Sequence, residues 1–73
     1  DIYGVGTTII FLLTGKAPMQ YYRYQGNKFE FDISSIPNLP QNLAQVLTIA
    51  CKPEPRDRYT TAKELLDALS ACL

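Results

Sequence analysis

Asp1-Ile-Tyr-Gly-Val-Gly6-Thr-Thr-Ile-Ile10-Phe-Leu-Leu-Thr-Gly15-Lys-Ala-Pro18 is the stretch on which the fold turns. Val5, Ile9, Leu12 and Leu13 recur at near-helical spacing, and Ile10 and Phe11 fill the opposite side. A helix apolar all round is one that several neighbours cover. Gly15 supplies a C-terminal stop, Lys16 suits the negative end of the helix, and Pro18 forbids continuation. Ile2 to Leu13 is broken by Gly4, Gly6, Thr7 and Thr8, too short and too interrupted to span a bilayer. In a chain of 73 residues, so apolar a helix implies that some of its natural neighbours are missing.

Downstream, the patterning predicts two further helices. Leu43, Val46, Leu47 and Ala50 fall at i, i+3, i+4 and i+7, giving an amphipathic helix over about Gln41 to Cys51 that Pro53 and Pro55 end. Thr61-Ala-Lys-Glu64 reads as a capping box, in which hydroxyl and carboxylate satisfy each other's backbone donors. It opens a last helix with Ala62, Leu65, Leu66, Leu69, Cys72 and Leu73 on its apolar face and a Lys63–Asp67 pair at i, i+4. Between the first and second helices the pattern weakens. Met19 to Gly26 is tyrosine-rich and aperiodic, read as one helical turn or an irregular loop with the tyrosines folding back onto the core. Lys28 to Ile33 alternates, with Phe29, Phe31 and Ile33 on one side. No second good strand is evident, so this segment is expected to pack as extended coil. Ser34 to Pro40 is a loop. The expected architecture is all-α, a small bundle of about three main helices, with residues 1–73 forming one partial domain.

Composition excludes more than it proposes. Hydrophobic residues make up 47% and charged residues 19% of the chain, which suits a folded piece rather than a disordered one. Seven basic residues balance seven acidic ones, and the charges are interleaved, so no field draws the chain to nucleic acid or an anionic membrane. The tyrosines beside Arg23 lack the basic groove that a base-stacking platform requires. There is no histidine, which removes Ser-His-Asp and Cys-His catalysis and histidine metal sites. The acids are too dispersed for a carboxylate metal site, and Glu30 and Asp32 read as a solvated face. Cys51 and Cys72 form no C-x-x-C pattern and read as small apolar side chains on helix faces, in keeping with a reducing cytoplasm; the alternative, a disulfide between them, is not decided by sequence.

Three pieces in register resemble the second half of the helical lobe of a protein kinase domain. Asp1-Ile-Tyr-Gly-Val-Gly6, the apolar helix and Leu13-Thr14-Gly15-Lys16-Ala17-Pro18 are similar to the kinase run D-[IVM]-[WY]-x-x-G, buried helix, L-x-T-G-x-x-P. The helix from Leu43 to Cys51 follows. Glu54-Pro55-Arg56-Asp57-Arg58-Tyr59 and Thr61-Ala62-Lys63-Glu64-Leu65-Leu66 then match D-P-x-x-R-[YF] and [ST]-A-x-E-L-L. Tyr3 in place of tryptophan, with Arg58-Tyr59, is typical of the bacterial serine/threonine branch. Met19 where phenylalanine is usual, Glu54 for aspartate, and a tyrosine-rich stretch in place of an amphipathic helix between Pro18 and Pro37 depart from the pattern.

The resemblance implies structural roles for three residues. Asp1 would accept backbone N–H bonds from the catalytic loop; as a residue alone it is an acid complementing a helix N-terminus. Gly6 would permit close backbone approach, or serve simply as a packing glycine. Arg58 would pair with the glutamate of an upstream Ala-Pro-Glu motif; without that partner it should turn to solvent or find a substitute acid, unless it is a plain loop arginine. Catalytic, cofactor-binding and metal-binding residues are expected to be none. Gly4-x-Gly6 lies inside a helix and lacks a third glycine, so it is no nucleotide loop. The Gly-rich loop, strand lysine, His-Arg-Asp loop and Asp-Phe-Gly metal site of kinases would all lie upstream of Asp1.

The implied function is therefore architectural: a catalytically inert segment of a serine/threonine kinase. ATP and Mg²⁺ are expected only for the intact parent. The implied partners are the missing upstream kinase segments, or a second copy through the exposed face of residues 2–13, with no nucleic acid and no membrane. A stand-alone helical interaction module and a pseudokinase parent are the alternatives.

Overall fold

Apolar side chains at helical spacing and well-placed stop signals produce three helices in the computed structural model. It describes residues 1–72, and side chains throughout except those of Gln25, Lys28 and Phe29. Helix α1 spans Ile2–Thr14, α2 spans Gln41–Ala50 and α3 spans Ala62–Ser70. Strands β1 (Tyr22–Gln25) and β2 (Lys28–Phe31) lie between α1 and α2. Single 3-10 turns at Pro18–Tyr21, Ile33–Ser35 and Pro55–Asp57 join these elements.

Helix α1 ends and α3 begins where their sequence signals say. Gly15 closes α1 in the left-handed region at φ 70°, donating its N–H to the Phe11 carbonyl at 2.8 Å. The capping box of α3 is formed on both sides. The Glu64 N–H donates to Thr61 Oγ1 at 3.1 Å, and Glu64 Oε1 accepts from the N–H groups of Thr61 and Thr60 at 3.1 Å each. Lys63 and Asp67 pair at 2.9 Å on the solvated side, a contact worth little at that exposure.

Helix α2 is the shared wall of the core. Leu47 and Cys51 face a cluster with Ile10, Tyr21, Ile33 and Ile36, flanked by Ile9, Phe31, Leu39, Leu43 and Ala44. Val46 and Ala50 face Leu65 of α3, flanked by Ile2, Tyr59, Ala68, Leu69 and Cys72. Ile10, Leu47 and Ala50 are completely buried. Burying a large aliphatic side chain contributes roughly 1.5–3 kcal/mol, so this strip of α2 carries a large share of the stability.

Three sequence expectations are corrected. The segment from Lys28 does not pack as extended coil but pairs antiparallel with Tyr22–Gln25, in the register Tyr22↔Phe31 to Gln25↔Lys28. The reason lies in the two residues between the strands: Gly26 sits at φ 62°, which only a residue without Cβ adopts freely at the first position of a tight hairpin turn. The tyrosines ahead of it do not all fold onto the core, because Tyr24, paired with Phe29, lies one residue pair from the turn, near the tip of the hairpin. Tyr21 is buried and Tyr22 half-buried, whereas Tyr24 is 71% exposed. On α3, Ala62 and Leu66 are exposed and Ala68 takes the inward position, because α3 meets α2 along a narrower stripe. Helix α1 is not covered on all sides. Val5, Phe11, Leu12 and Leu13 remain largely exposed, since α2 and the hairpin cover one flank alone. Leu73, expected on the apolar face of α3, and the side chains of Lys28 and Phe29 in the alternating segment lie outside the described residues.

Thr61→Ala removes the acceptor for the Glu64 N–H while leaving the core untouched. It is expected to lower unfolding free energy by about 1 kcal/mol, read as a shift of the urea midpoint with unchanged slope.

Candidate functional site

Proline chemistry creates the demand that organises this region. Helix α2 runs out at Cys51, and the next residues, Lys52-Pro53-Glu54-Pro55, contain two prolines with no N–H to offer. The carbonyls of Lys52 and Pro53 are met instead by Arg58. Its Nε donates to Lys52 O at 2.6 Å and its Nη2 to Pro53 O at 2.9 Å. A cation placed just past the C-terminus of a helix also complements its dipole.

The same guanidinium lies over the ring of Tyr3, 4.6 Å from the centroid, within the range of a cation–π contact. Tyr3 continues the connection outward. Its hydroxyl is 2.8 Å from the Tyr22 hydroxyl, and the Tyr22 ring stacks on Phe31 at 4.4 Å and 24°. The loop before α3, the end of α2, the start of α1 and the hairpin are thus joined through Arg58, Tyr3 and Tyr22. Burial, together with the hydrogen bond to Tyr22, holds the Tyr3 hydroxyl well above the ordinary tyrosine range.

One turn along α1, Gly6 faces α2. A Cβ at Gly6 would stand 2.7 Å from Cys51 Sγ and 3.2 Å from Ala50 Cβ, so any side chain there would push the two helices apart. Burial pushes the Cys51 thiol up from 9.0 to about 11, against the lowering influence of the Arg58 charge. Such a thiol stays protonated and unreactive at neutral pH. Asp1 caps α1, its Oδ2 accepting from the Gly4 N–H at 3.2 Å.

Asp1, Gly6 and Arg58, singled out from sequence, therefore cluster at one end of the molecule. Asp1 and Arg58 line an open cleft of about 420 Å³ with Ile2, Pro55, Arg56, Tyr59 and Thr60. Arg58 does not behave as expected: it neither turns to solvent nor finds an acid. Two backbone carbonyls and an aromatic ring satisfy it, which removes the penalty of an unpaired cation without a carboxylate. Sequence reasoning missed Tyr3, Tyr22 and Cys51 as its neighbours. The aromatic at position 3 was visible, but nothing local tied it to an arginine 55 positions later. Chemically the cluster is a brace. No group of three or more His, Cys, Asp or Glu residues suited to holding a metal ion occurs among the described residues. Nor is any helix long and apolar enough to cross a membrane.

Two outcomes test the brace. Arg58→Met leaves both carbonyls without their donor and should cost about 2–3 kcal/mol of stability, while Arg58→Lys, which keeps charge but loses the planar fork, should recover only part of it. The second concerns alkaline pH. The Cys51 thiol is raised in the folded state, so its contribution is fully present below its ordinary 9.0 and is lost as pH rises toward 11. Thermal melts across that window should show stability falling, and Cys51→Ala should fall less steeply than the parent chain.

No family profile matches the chain, and no solved structure matches it. Curated relatives do. The chain is 38% identical over 69 residues to serine/threonine-protein kinase PknA of Nostoc sp. strain PCC 7120, covering 94% of this chain and 12% of that protein. It is 33% identical over 70 residues to serine/threonine-protein kinase F of Synechocystis sp. strain PCC 6803, covering 96% and 14%. Serine/threonine-protein kinase D of the same organism is 31% identical over 74 residues, covering 100% and 14%. The chain thus spans 12–14% of the length of these relatives. Over nearly its whole length it belongs with the bacterial serine/threonine protein kinases, as the counterpart of a segment of their sequence.

Proposed function

We propose that the chain is the C-terminal part of the large helical lobe of a serine/threonine kinase domain. Its role is architectural: a base on which upstream catalytic segments rest. The observation that carries this reading is the near-complete alignment of the chain with kinases it matches over only 12–14% of their length. The brace supports it, since Tyr3 in the first kinase-like motif and Arg58 in the last are in direct contact. In this reading the parent transfers the ATP γ-phosphate to serine or threonine hydroxyls of protein substrates, using Mg²⁺ held by residues outside this chain, in the cytoplasm. Asp1 and the cleft it shares with Arg58 face those segments, and the cleft is where an upstream carboxylate would reach the guanidinium.

A second reading rests on a separate observation. Val5, Phe11, Leu12 and Leu13 of α1, with Met19 just beyond it, leave apolar side chains in solvent. Exposed apolar surface of this kind seeks a partner, and in isolation a second copy through residues 2–13 is the available one. A helical interaction module would use the same face.

The kinase reading is tested with the chain alone and with a reading frame extended upstream. The chain alone should show no thermal stabilisation by ATP–Mg²⁺ and no phosphoryl transfer, and light scattering should give a mass above the 8.2 kDa of the monomer. The extended protein should bind ATP and phosphorylate serine or threonine in a generic acceptor protein. An extended frame without a strand lysine or catalytic aspartate overturns the active-kinase reading, and a stable monomer at high concentration overturns the self-association.

A further inference from the structure

The hydroxyls of the six threonines are not equivalent. Thr7 and Thr8 donate to the Gly4 carbonyl, Thr14 to Ile10 and Thr48 to Ala44, at 2.8–3.0 Å. Thr61 Oγ1 accepts from the Glu64 N–H as the cap of α3. Thr60 is left. It is exposed, it lies in the loop ahead of α3, and its hydroxyl carries no hydrogen bond among the described residues.

Beside it stands a second unsatisfied group. Arg56 lies four residues upstream in the 3-10 turn Pro55–Asp57 and lines the same cleft as Thr60. It is exposed and pairs with no carboxylate among the described residues. Of the acids nearby, Asp1 accepts from the Gly4 N–H and Glu64 from the N–H groups of Thr60 and Thr61, while Glu54 and Asp57 flank Arg56 in sequence and form no ion pair with it among the described residues. Arg58 is committed through Nε and Nη2 to carbonyls, so its charge adds to the field without competing for the site.

We propose that Thr60 is a phosphorylation site and that Arg56 holds the phosphate. Transfer breaks the bond between Pγ and the bridging oxygen of ATP, releasing ADP, and forms the Oγ1–P bond. The hydroxyl proton passes to a base of the phosphorylating kinase. A phosphothreonine brings two negative charges and strong acceptor oxygens, which the planar guanidinium fork of Arg56 can grip in bidentate fashion. Ser70, exposed at the last position of α3, would place a phosphate at the negative end of a helix. Modified Thr60 would fill the cleft that Arg58 lines and close it to any incoming carboxylate, so the site regulates docking there. The proposal rests on the kinase reading only for what it says about docking.

The test has two arms. The chain is synthesised with phosphothreonine at position 60, and its phosphorus resonance is titrated. The second phosphate pKa should fall roughly one unit below its usual value of about 6, and Arg56→Gln should restore it. An unshifted titration, or one indifferent to Arg56→Gln, overturns the Arg56 contact. In the second arm the unmodified chain is incubated with ATP–Mg²⁺ and a purified bacterial serine/threonine kinase catalytic domain. Tandem mass spectrometry should place a single phosphate on Thr60; mapping to Ser34, Ser35 or Ser70, or no incorporation, overturns the acceptor assignment. Neither arm uses the chain as a kinase segment, so failure of that reading, seen in the extended frame, is distinguishable from failure here.

Discussion

The approach of Gly6 to Cys51 and Ala50 sets the spacing of the whole molecule. With hydrogen in place of a side chain, α1 seats directly on the C-terminal end of α2. That seating lets Ile10 bury fully against the Leu47 cluster. A wider separation would open a gap along this face, and proteins of this size have little stability with which to absorb one. The opposite side of α2 then takes α3 through Val46, Ala50 and Leu65. One ten-residue helix thereby organises two small clusters, neither of which is large enough to hold a fold alone.

Polar contacts complete what the apolar clusters begin. The chain between α2 and α3 has little regular structure, and the prolines that end α2 also deny it backbone donors. Arg58 solves both problems, tying its own loop to the helix end and laying its charge on Tyr3. Tyr3 carries the connection through its hydroxyl to Tyr22 and the hairpin. Among these links the neutral Tyr3–Tyr22 hydrogen bond is worth about 1 kcal/mol and the charge-assisted Arg58 bonds about 1.5–3 kcal/mol. Their value lies in sharing partners across four segments, so that loss of one loosens several.

What was legible in the sequence follows the range of the interactions. Helices α1, α2 and α3 were readable because periodicity, Gly15, the proline pair and the Thr61–Glu64 box all act within a few residues. The hairpin was also encoded locally, in Gly26-Asn27 between two alternating runs. It is hard to read because Tyr21 and Tyr22 sit side by side and obscure the alternation that starts at Tyr22. The Arg58–Tyr3 contact is different in kind. Its two members are 55 positions apart, and the carbonyls that fix the arginine become acceptors only once α2 has ended where it does. Nor could periodicity alone say which flank of α1 would be covered, since apolar residues occur all round it.

That last ambiguity has a physical content beyond a missed detail. On its inner flank α1 buries Gly6 and Ile10, while Phe11, Leu12 and Leu13 are each at least half exposed. A helix selected only for this small core would gain from polar residues on that outer flank, as α3 shows with Lys63, Glu64 and Asp67 on its own. The contrast between α1 and α3 is therefore informative. Helix α3 reads as a surface element, finished toward solvent mainly by charge, with Leu66 as its one exposed large apolar side chain among the described residues. Helix α1 carries the composition of an interior element, finished on one side by α2 and the hairpin and still apolar on the other. Relatives seven to eight times longer have ample chain to cover such a flank. The brace at the start of α1 ties that helix to the end of α2 and to the hairpin through Arg58, Tyr3 and Tyr22.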